Sequence, residues 1–243
     1  MFLVIENLKK VPIVSSWSHG LSLHSNVDNA ILHGASEWYE RDAFFRTWYL
    51  GADIFPFADT SRLLNELHFK PKNGYKVLSY LIGQFRNYHS CMAIIQSESG
   101  FIVGLGSAIS AEIAAEKALK EVALFHAYWL TYLRGTCISI HFKTFNDHLQ
   151  WFWLNGGLFS KAITQNKTSF NIKIQPETLS DEFYYNVLWE GKVETTDTAI
   201  VRTRVPGLIP QHSIGLFPLR AGNKLKIPKD CPLCKLDGVH PFS

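Results

Sequence analysis

Two carboxylates and a guanidinium stand three and four residues apart within the run DNAILHGASEWYERDAFF, residues 28–45. On a helix at 100° per residue, Glu37, Glu40 and Arg41 share one face. Asn29 and His33 extend that stripe one and two turns earlier, while Ala30, Ile31, Gly34, Ala35 and Trp38 fall toward sides that can pack. Carboxylates one turn apart repel each other, more strongly when partly buried, and a divalent cation removes that cost. Magnesium takes carboxylate oxygens together with nucleotide phosphate oxygens. An adjacent arginine can grip a phosphate through two hydrogen bonds. Glu-x-x-Glu-Arg therefore suits a magnesium–nucleotide site. The same spacing also suits a solvated helix face, so the segments around it must decide.

The elements that would position these residues are legible in outline. Residues 15–26, SSWSHGLSLHSN, are polar, contain Gly20 and read as a loop. A helix is expected from about Asp28, as N-cap, to Tyr49, and a second near Thr60–Leu67. Residues 75–82 and 90–96 have strand character. The turn Glu98-Ser99-Gly100 and the short strand Phe101–Leu105 predict a hairpin. An Ala-rich helix follows over about Ala111–Leu133, ending before Gly135. Its stripe of Ala114, Ala118, Val122 and Phe125 reads as core. Strand signals return at Tyr184–Leu188 and Thr198–Val205, where Arg202 and Arg204 share one side because the side-chain period is two.

Composition narrows the classes. The chain has 243 residues, 47% hydrophobic and 19% charged, with a formal net charge of +3. This describes a folded protein with a sizeable core. Lys and Arg are scattered, which argues against nucleic acid as a partner. No apolar run is long enough to span a bilayer, and the N-terminus lacks the pattern of a signal peptide, so a cytoplasmic protein is expected. Four cysteines are too few for a disulfide scaffold. Cys231 and Cys234 form one Cys-x-x-Cys pair, which fits either two reduced thiols or half of a zinc site.

Several segments taken in order resemble the YcaO family. They are His19-Gly20-Leu21-Ser22, then Asn29-Ala30-Ile31, then Glu37-x-x-Glu40-Arg41-Asp42-Ala43. Further along come Gly104-Leu105-Gly106-Ser107-Ala108 with Glu116–Glu121, and Arg202-Thr203-Arg204-Val205-Pro206-Gly207-Leu208. The resemblance implies an α+β fold of mixed sheets with packed helices. It runs over a partial domain spanning 1–243, with its core at about 10–220 and a Pro/Gly-rich tail at 221–243. It implies ATP and Mg2+ as cofactors, with Glu37 and Glu40 on the metal and Arg41, Glu121 and Arg202 on the nucleotide. The chain departs from the family where Glu is usual and Asn29 stands, and where Gln and Arg are usual and Leu124 and His126 stand. The ending Val239-His240-Pro241-Phe242-Ser243 is similar to the tail of azoline-forming members, whose terminus reaches the active site. Ser243, in place of the usual last proline, becomes the candidate catalytic residue.

The activity so implied is ATP-dependent activation of a backbone amide in a ribosomally made precursor peptide, most directly cyclodehydration at Cys, Ser or Thr to an azoline. Thioamide formation is the sister chemistry. The partners implied are the precursor, a peptide-binding protein and further copies in an oligomer. Family members also carry an earlier segment with its own paired glutamates, and no second Glu-x-x-Glu precedes residue 37. A split enzyme paired with an N-terminal YcaO half, a truncation and a fragment all fit that pattern. A scaffold or substrate-binding subunit without chemistry is the alternative.

Overall fold

The computed structural model describes residues 19–50, 52–71, 74–85, 87–133, 149, 152–154, 184–205 and 208. In chain order these give β1 (Leu21–His24), α1 (Val27–Leu50), β2 (Phe55–Pro56), α2 (Thr60–Glu66), β3 (Lys76–Phe85), β4 (Tyr88–Gln96) and β5 (Phe101–Ala108). α3 (Ala111–Tyr128) follows and runs into a π-helical turn at Trp129–Leu133, before β6 (Tyr184–Val193) and β7 (Thr196–Arg204). Two sheets form, ordered β1-β7-β6 and β2-β3-β4-β5, and every pairing is antiparallel. The fold is α+β. It divides into two compact units: residues 1–42 with 173–213, and residues 43–172 with 214–243.

The first unit holds the small sheet and the first four turns of α1. β7 is its central strand, and alternation sorts its side chains. Ala199, Val201 and Thr203 are buried, whereas Ile200 and Arg202 are half-buried and Arg204 is exposed. Ala30 and Ile31 of α1 close on Val201, with Val27 and Tyr185 at the margin. Asn26, rather than the expected Asp28, caps α1. The Asn29 N–H donates to Asn26 Oδ1 at 2.8 Å, and Asp28 lies inside the first turn. The reading of residues 15–26 as loop also needs correction, because Leu21–His24 is a strand. Its four residues carry too little apolar signal to announce it, and pairing with β7 at Leu21↔Arg202 through His24↔Ala199 defines it.

The second unit stacks α3 on one face of the larger sheet. β4 and β5 are buried almost throughout, as strands covered on both faces must be. Gly104 and Gly106 let the helix touch the sheet backbone. A Cβ at Gly104 would lie 2.3 Å from Val122 N, and one at Gly106 would lie 2.3 Å from Ala114 O. The small residues Ala114, Ala115, Ala118 and Val122 complete that contact with no exposure. Phe44, Phe45, Trp48, Phe101 and Phe152 are among the largest fully buried side chains. Each contributes roughly 1.5–3 kcal/mol of burial. The charged turn of α2 is secured at the surface by Arg62, which pairs with Glu66 at 2.7 Å.

Two outcomes follow from this packing. At Gly34 a Cβ would lie 2.5 Å from Thr203 Oγ1 and 2.8 Å from Gly20 O. Gly34→Ala gains up to about 1 kcal/mol of helix propensity, but the clash costs about 1–3 kcal/mol. A net fall in Tm is therefore expected in thermal unfolding. Cys91 is fully buried on β4, and burial pushes its thiol up to about 12. From a pH near 9 upward the unfolded chain releases this proton while the folded chain keeps it. Stability therefore falls as pH rises from about 9 toward 12. Denaturant melts across that range test the slope, and removing the thiol with Cys91→Ala should flatten it.

Candidate functional site

α1 delivers the acidic face intact. Glu37, Glu40 and Arg41 are each half-buried, and Arg41 Nη2 lies 3.6 Å from Glu40 Oε1, both side chains being 13% exposed. Asn29 and His33, the earlier positions of the stripe, are exposed. A set of contacts through Glu37 and the adjoining face of the helix fixes the trio's place. Gly20, at φ 71°, donates its N–H to Glu37 Oε2 at 2.9 Å. The Thr203 N–H donates to Gly20 O at 2.7 Å, and Trp38 Nε1 donates to Thr203 O at 2.9 Å. His19 is buried and stacks on Trp38 with ring centroids 3.9 Å apart. Only glycine fits at position 20, where a Cβ would lie 2.3 Å from Thr203 O. The Glu37 carboxylate is thus oriented by the backbone turn that starts β1.

Arg202 belongs to the same unit but leaves its strand differently. Thr203 faces α1, so alternation sends Arg202 to the opposite face of β7, beside its register partner Leu21. Arg204 leaves on that face too and is exposed. The structure brings Glu37, Glu40 and Arg41 together on α1. The strand itself does not aim Arg202 at them.

Glu121 has a visible structural task. β5 ends its sheet among the described residues, so one row of its backbone groups needs partners from elsewhere. Glu121 of α3 accepts the Leu105 N–H, and Lys117, one turn earlier, donates Nζ to Ser107 O at 3.1 Å. This pair closes the edge of β5. Leu124 is exposed, whereas His126 is buried in an aromatic group with Tyr75 and Trp153, both at 5.4 Å. Neither substitution for the family's usual Gln and Arg offers a polar group to solvent on that helix. Ser243, Cys137, Cys231, Cys234, Pro206 and Gly207 lie outside the described residues.

The donor set can be tested against magnesium and a nucleotide. Among the described residues no three His, Cys, Asp or Glu side chains converge as a self-sufficient metal site. Two carboxylates on one helix face fit an ion that completes its shell with water and phosphate oxygens. Among the described residues Arg41 Nε and Nη1 and Arg202 Nε are buried nitrogens with no hydrogen-bond acceptor, although both side chains have other partners. Arg41 remains engaged with Glu40 through Nη2, and a phosphate oxygen is the kind of acceptor its other nitrogens take. The residues fit the group.

An α+β chain with this helix, this glycine turn and this late strand defines a class, and comparison with known proteins identifies it. Residues 2–171 match the model of the YcaO family, described as YcaO cyclodehydratase, ATP- and Mg2+-binding. The chain belongs to the YcaO family. No curated protein matches it at a significant level. Among solved structures it is similar to a chain of the Escherichia coli microcin synthetase McbBCD complex with pro-MccB17 bound (14% identity, TM-score 0.55), covering 79% of this chain. It is also similar to YcaO from Methanopyrus kandleri bound with AMPPCP and Mg2+ (20% identity, TM-score 0.51, 79% of this chain). A third is a heterocyclase in complex with substrate and cofactor (16% identity, TM-score 0.54, 87% of this chain). The chain spans 55%, 55% and 31% of the lengths of those three. Among the described residues no helix is long and apolar enough to cross a membrane.

Sequence reasoning missed Thr203, Trp38 and His19 as the parts that set the acidic face. The signal was present in Gly20 and Gly34, two glycines flanking one helix start, but their common contact with Thr203 is not local. It also missed the edge-closing role of Glu121. Replacing Glu121 by Ala strands the Leu105 N–H, at an expected cost of about 1–3 kcal/mol. Glu121→Gln keeps a carbonyl acceptor and should retain most of that stability. Denaturant melts of the two variants, compared with each other, check this.

Proposed function

We propose that this chain serves ATP- and Mg2+-dependent activation of a backbone amide in a ribosomally made precursor peptide, most directly cyclodehydration of Cys, Ser or Thr to an azoline. The observation that carries this reading is the half-buried Glu37–Glu40–Arg41 face, held by the Gly20 turn, in a chain of the YcaO family. Glu37 and Glu40 would hold the magnesium through one oxygen or more each, and Arg41 would take a phosphate oxygen. Arg202 and Glu121 remain candidates for the nucleotide, and Ser243 for the peptide end of the reaction. Bound ATP supplies the electrophilic phosphoryl group. The precursor's side-chain thiol or hydroxyl would add to the preceding carbonyl with loss of its proton, and, as ADP departs, the resulting oxygen would take the γ-phosphoryl. It leaves as phosphate as the amide nitrogen loses its proton, so that water is lost overall. The protein's share is positioning and charge neutralisation, as in other phosphoryl transfers. The precursor, a peptide-binding protein and a chain or segment supplying the remaining family motifs are the partners this reading requires.

A second reading has its own support. The Glu121 carboxylate already accepts the Leu105 N–H. This suits a subunit that binds nucleotide or peptide without completing the chemistry.

Titration with ATP and magnesium tests the site assignment. Wild type should bind MgATP, and Glu40→Gln should weaken binding at least about tenfold while unfolding like wild type. Arg41→Lys keeps the charge but loses the bidentate grip and should fall between them. Equal binding by wild type and Glu40→Gln would overturn the site assignment. Peptide-dependent ATP hydrolysis with all partners present distinguishes enzyme from scaffold.

A further inference from the structure

Among the described residues the outer edge of β6 is the longest open strand edge in the first unit. β6 ends the sheet order β1-β7-β6 and is exposed along nearly its whole length. Its apolar side chains are not withdrawn, because Leu188 is 50% exposed, Trp189 39% and Val193 55%. An edge of this kind is a template for another strand. The sequence of β6 indicates which strand fits.

We propose that β6 pairs antiparallel with β6 of a second copy of this chain, about a twofold axis at Gly191. The register follows from the hairpin. β6 and β7 are joined by the two residues Glu194 and Thr195, so Val193 and Thr196 close the hairpin. In such a hairpin the closing pair exchanges both its hydrogen bonds. The backbone groups of the next alternate residues, Lys192 and Glu190, then point to the open edge. Antiparallel strands bond through residues that both point outward, so Glu190 opposite Lys192 of the second copy is an allowed pair. By symmetry it occurs twice.

That register matches charge with charge and apolar with apolar. Glu190 faces Lys192 of the second copy on one side of the sheet. Lys192 already lies 3.8 Å from Asp197 within its own hairpin, so each lysine would sit between two carboxylates. On the other side Val193 meets Trp189 of the second copy. Trp189 continues a row with its cross-strand partner Ile200 and with Leu23 beyond, the latter 64% exposed. Gly191 meets itself at the axis, where strands approach most closely. The Trp189 ring lies over Gly191, since a Cβ there would be 2.9 Å from its Cζ2. An edge glycine covered by an aromatic ring is a stabilised pairing position. The bulge at Leu188 ends the regular stretch on one side and the turn ends it on the other. Lys192 excludes partners that offer it no acid, which keeps the edge selective.

Only Trp189–Val193 of each copy pair regularly, so the contact is small and the dissociation constant is expected at roughly micromolar or above. Sedimentation velocity over a wide concentration series should show reversible dimerisation of the wild-type chain. Lys192→Glu and Glu190→Lys each place like charges opposite one another and should weaken the dimer at least about tenfold. The double swap Glu190→Lys/Lys192→Glu restores opposite charges in the same register and should recover most of the affinity. All these positions are exposed, and far-UV circular dichroism checks that each variant keeps the fold. A wild type that stays monomeric throughout the series overturns the proposal and leaves the edge to a foreign strand. A dimer indifferent to the single swaps, or one the double swap fails to rescue, overturns it as well.

Discussion

One backbone contact organises the first unit, the close approach of Gly20, Thr203 and Gly34. Thr203 on the central strand donates its N–H and its hydroxyl to the Gly20 carbonyl in the turn that starts β1, and α1 rests on both at a position without a side chain. Trp38 anchors the helix to the Thr203 carbonyl, and Glu37 takes the N–H of Gly20. Two neighbouring elements and a strand far along the chain therefore share a few atoms, and the rotation of α1 about its axis is fixed there. The helix then carries Glu40 and Arg41 into place beside Glu37.

The second unit solves a similar problem with the same means. α3 lies against β5 through Gly104 and Gly106, and small alanines supply the complementary surface. Close approach brings Lys117 and Glu121 within reach of the strand's outer edge, where they answer a carbonyl and an N–H. A carboxylate engaged in this way is oriented before any ligand arrives. Glu37 and Glu121 are alike in that respect, because one accepts the N–H of a glycine and the other an N–H between two glycines. In both, the groups the family resemblance marks as functional are also joints of the fold, so loss of binding on mutation must be separated from loss of stability.

Much of this was legible in the sequence, and the gaps share a cause. The long helices, the Ala-rich stripe and the hairpin of β4 and β5 follow from local periodicity and turn chemistry, and the acidic face follows from helical spacing. β1 was unreadable because Leu21–His24 owes its extended form to β7, far along the chain. The cap at Asn26 was misplaced by two residues because Asp28 is an equally good capping type. Arg202 was read correctly as sharing a side with Arg204. Which side that is depends on where α1 packs, and the strand's own pattern does not contain it. Glu121 was matched to a family position without its partner Leu105, whose N–H needs an acceptor only because β5 is a sheet edge.

Charge sets the terms on which the acidic face could take a nucleotide. Two carboxylates and one guanidinium leave it net negative, and half-burial makes that imbalance cost more than it would in water. One magnesium ion reverses the sign and would dominate the local field. A triphosphate brings more negative charge than one ion and Arg41 together offset, and sites for phosphoryl transfer meet that excess with further cations. Arg202, the nearest candidate on the same sheet, leaves β7 on the face turned away from α1. A complete triphosphate site therefore calls for positive charge or metal ligands beyond those on α1. A chain spanning about half the length of its structural neighbours leaves room for these to come from residues outside the described segments or from a partner. Nucleotide affinity in the isolated chain would then report on half of the electrostatics, and catalysis on the whole.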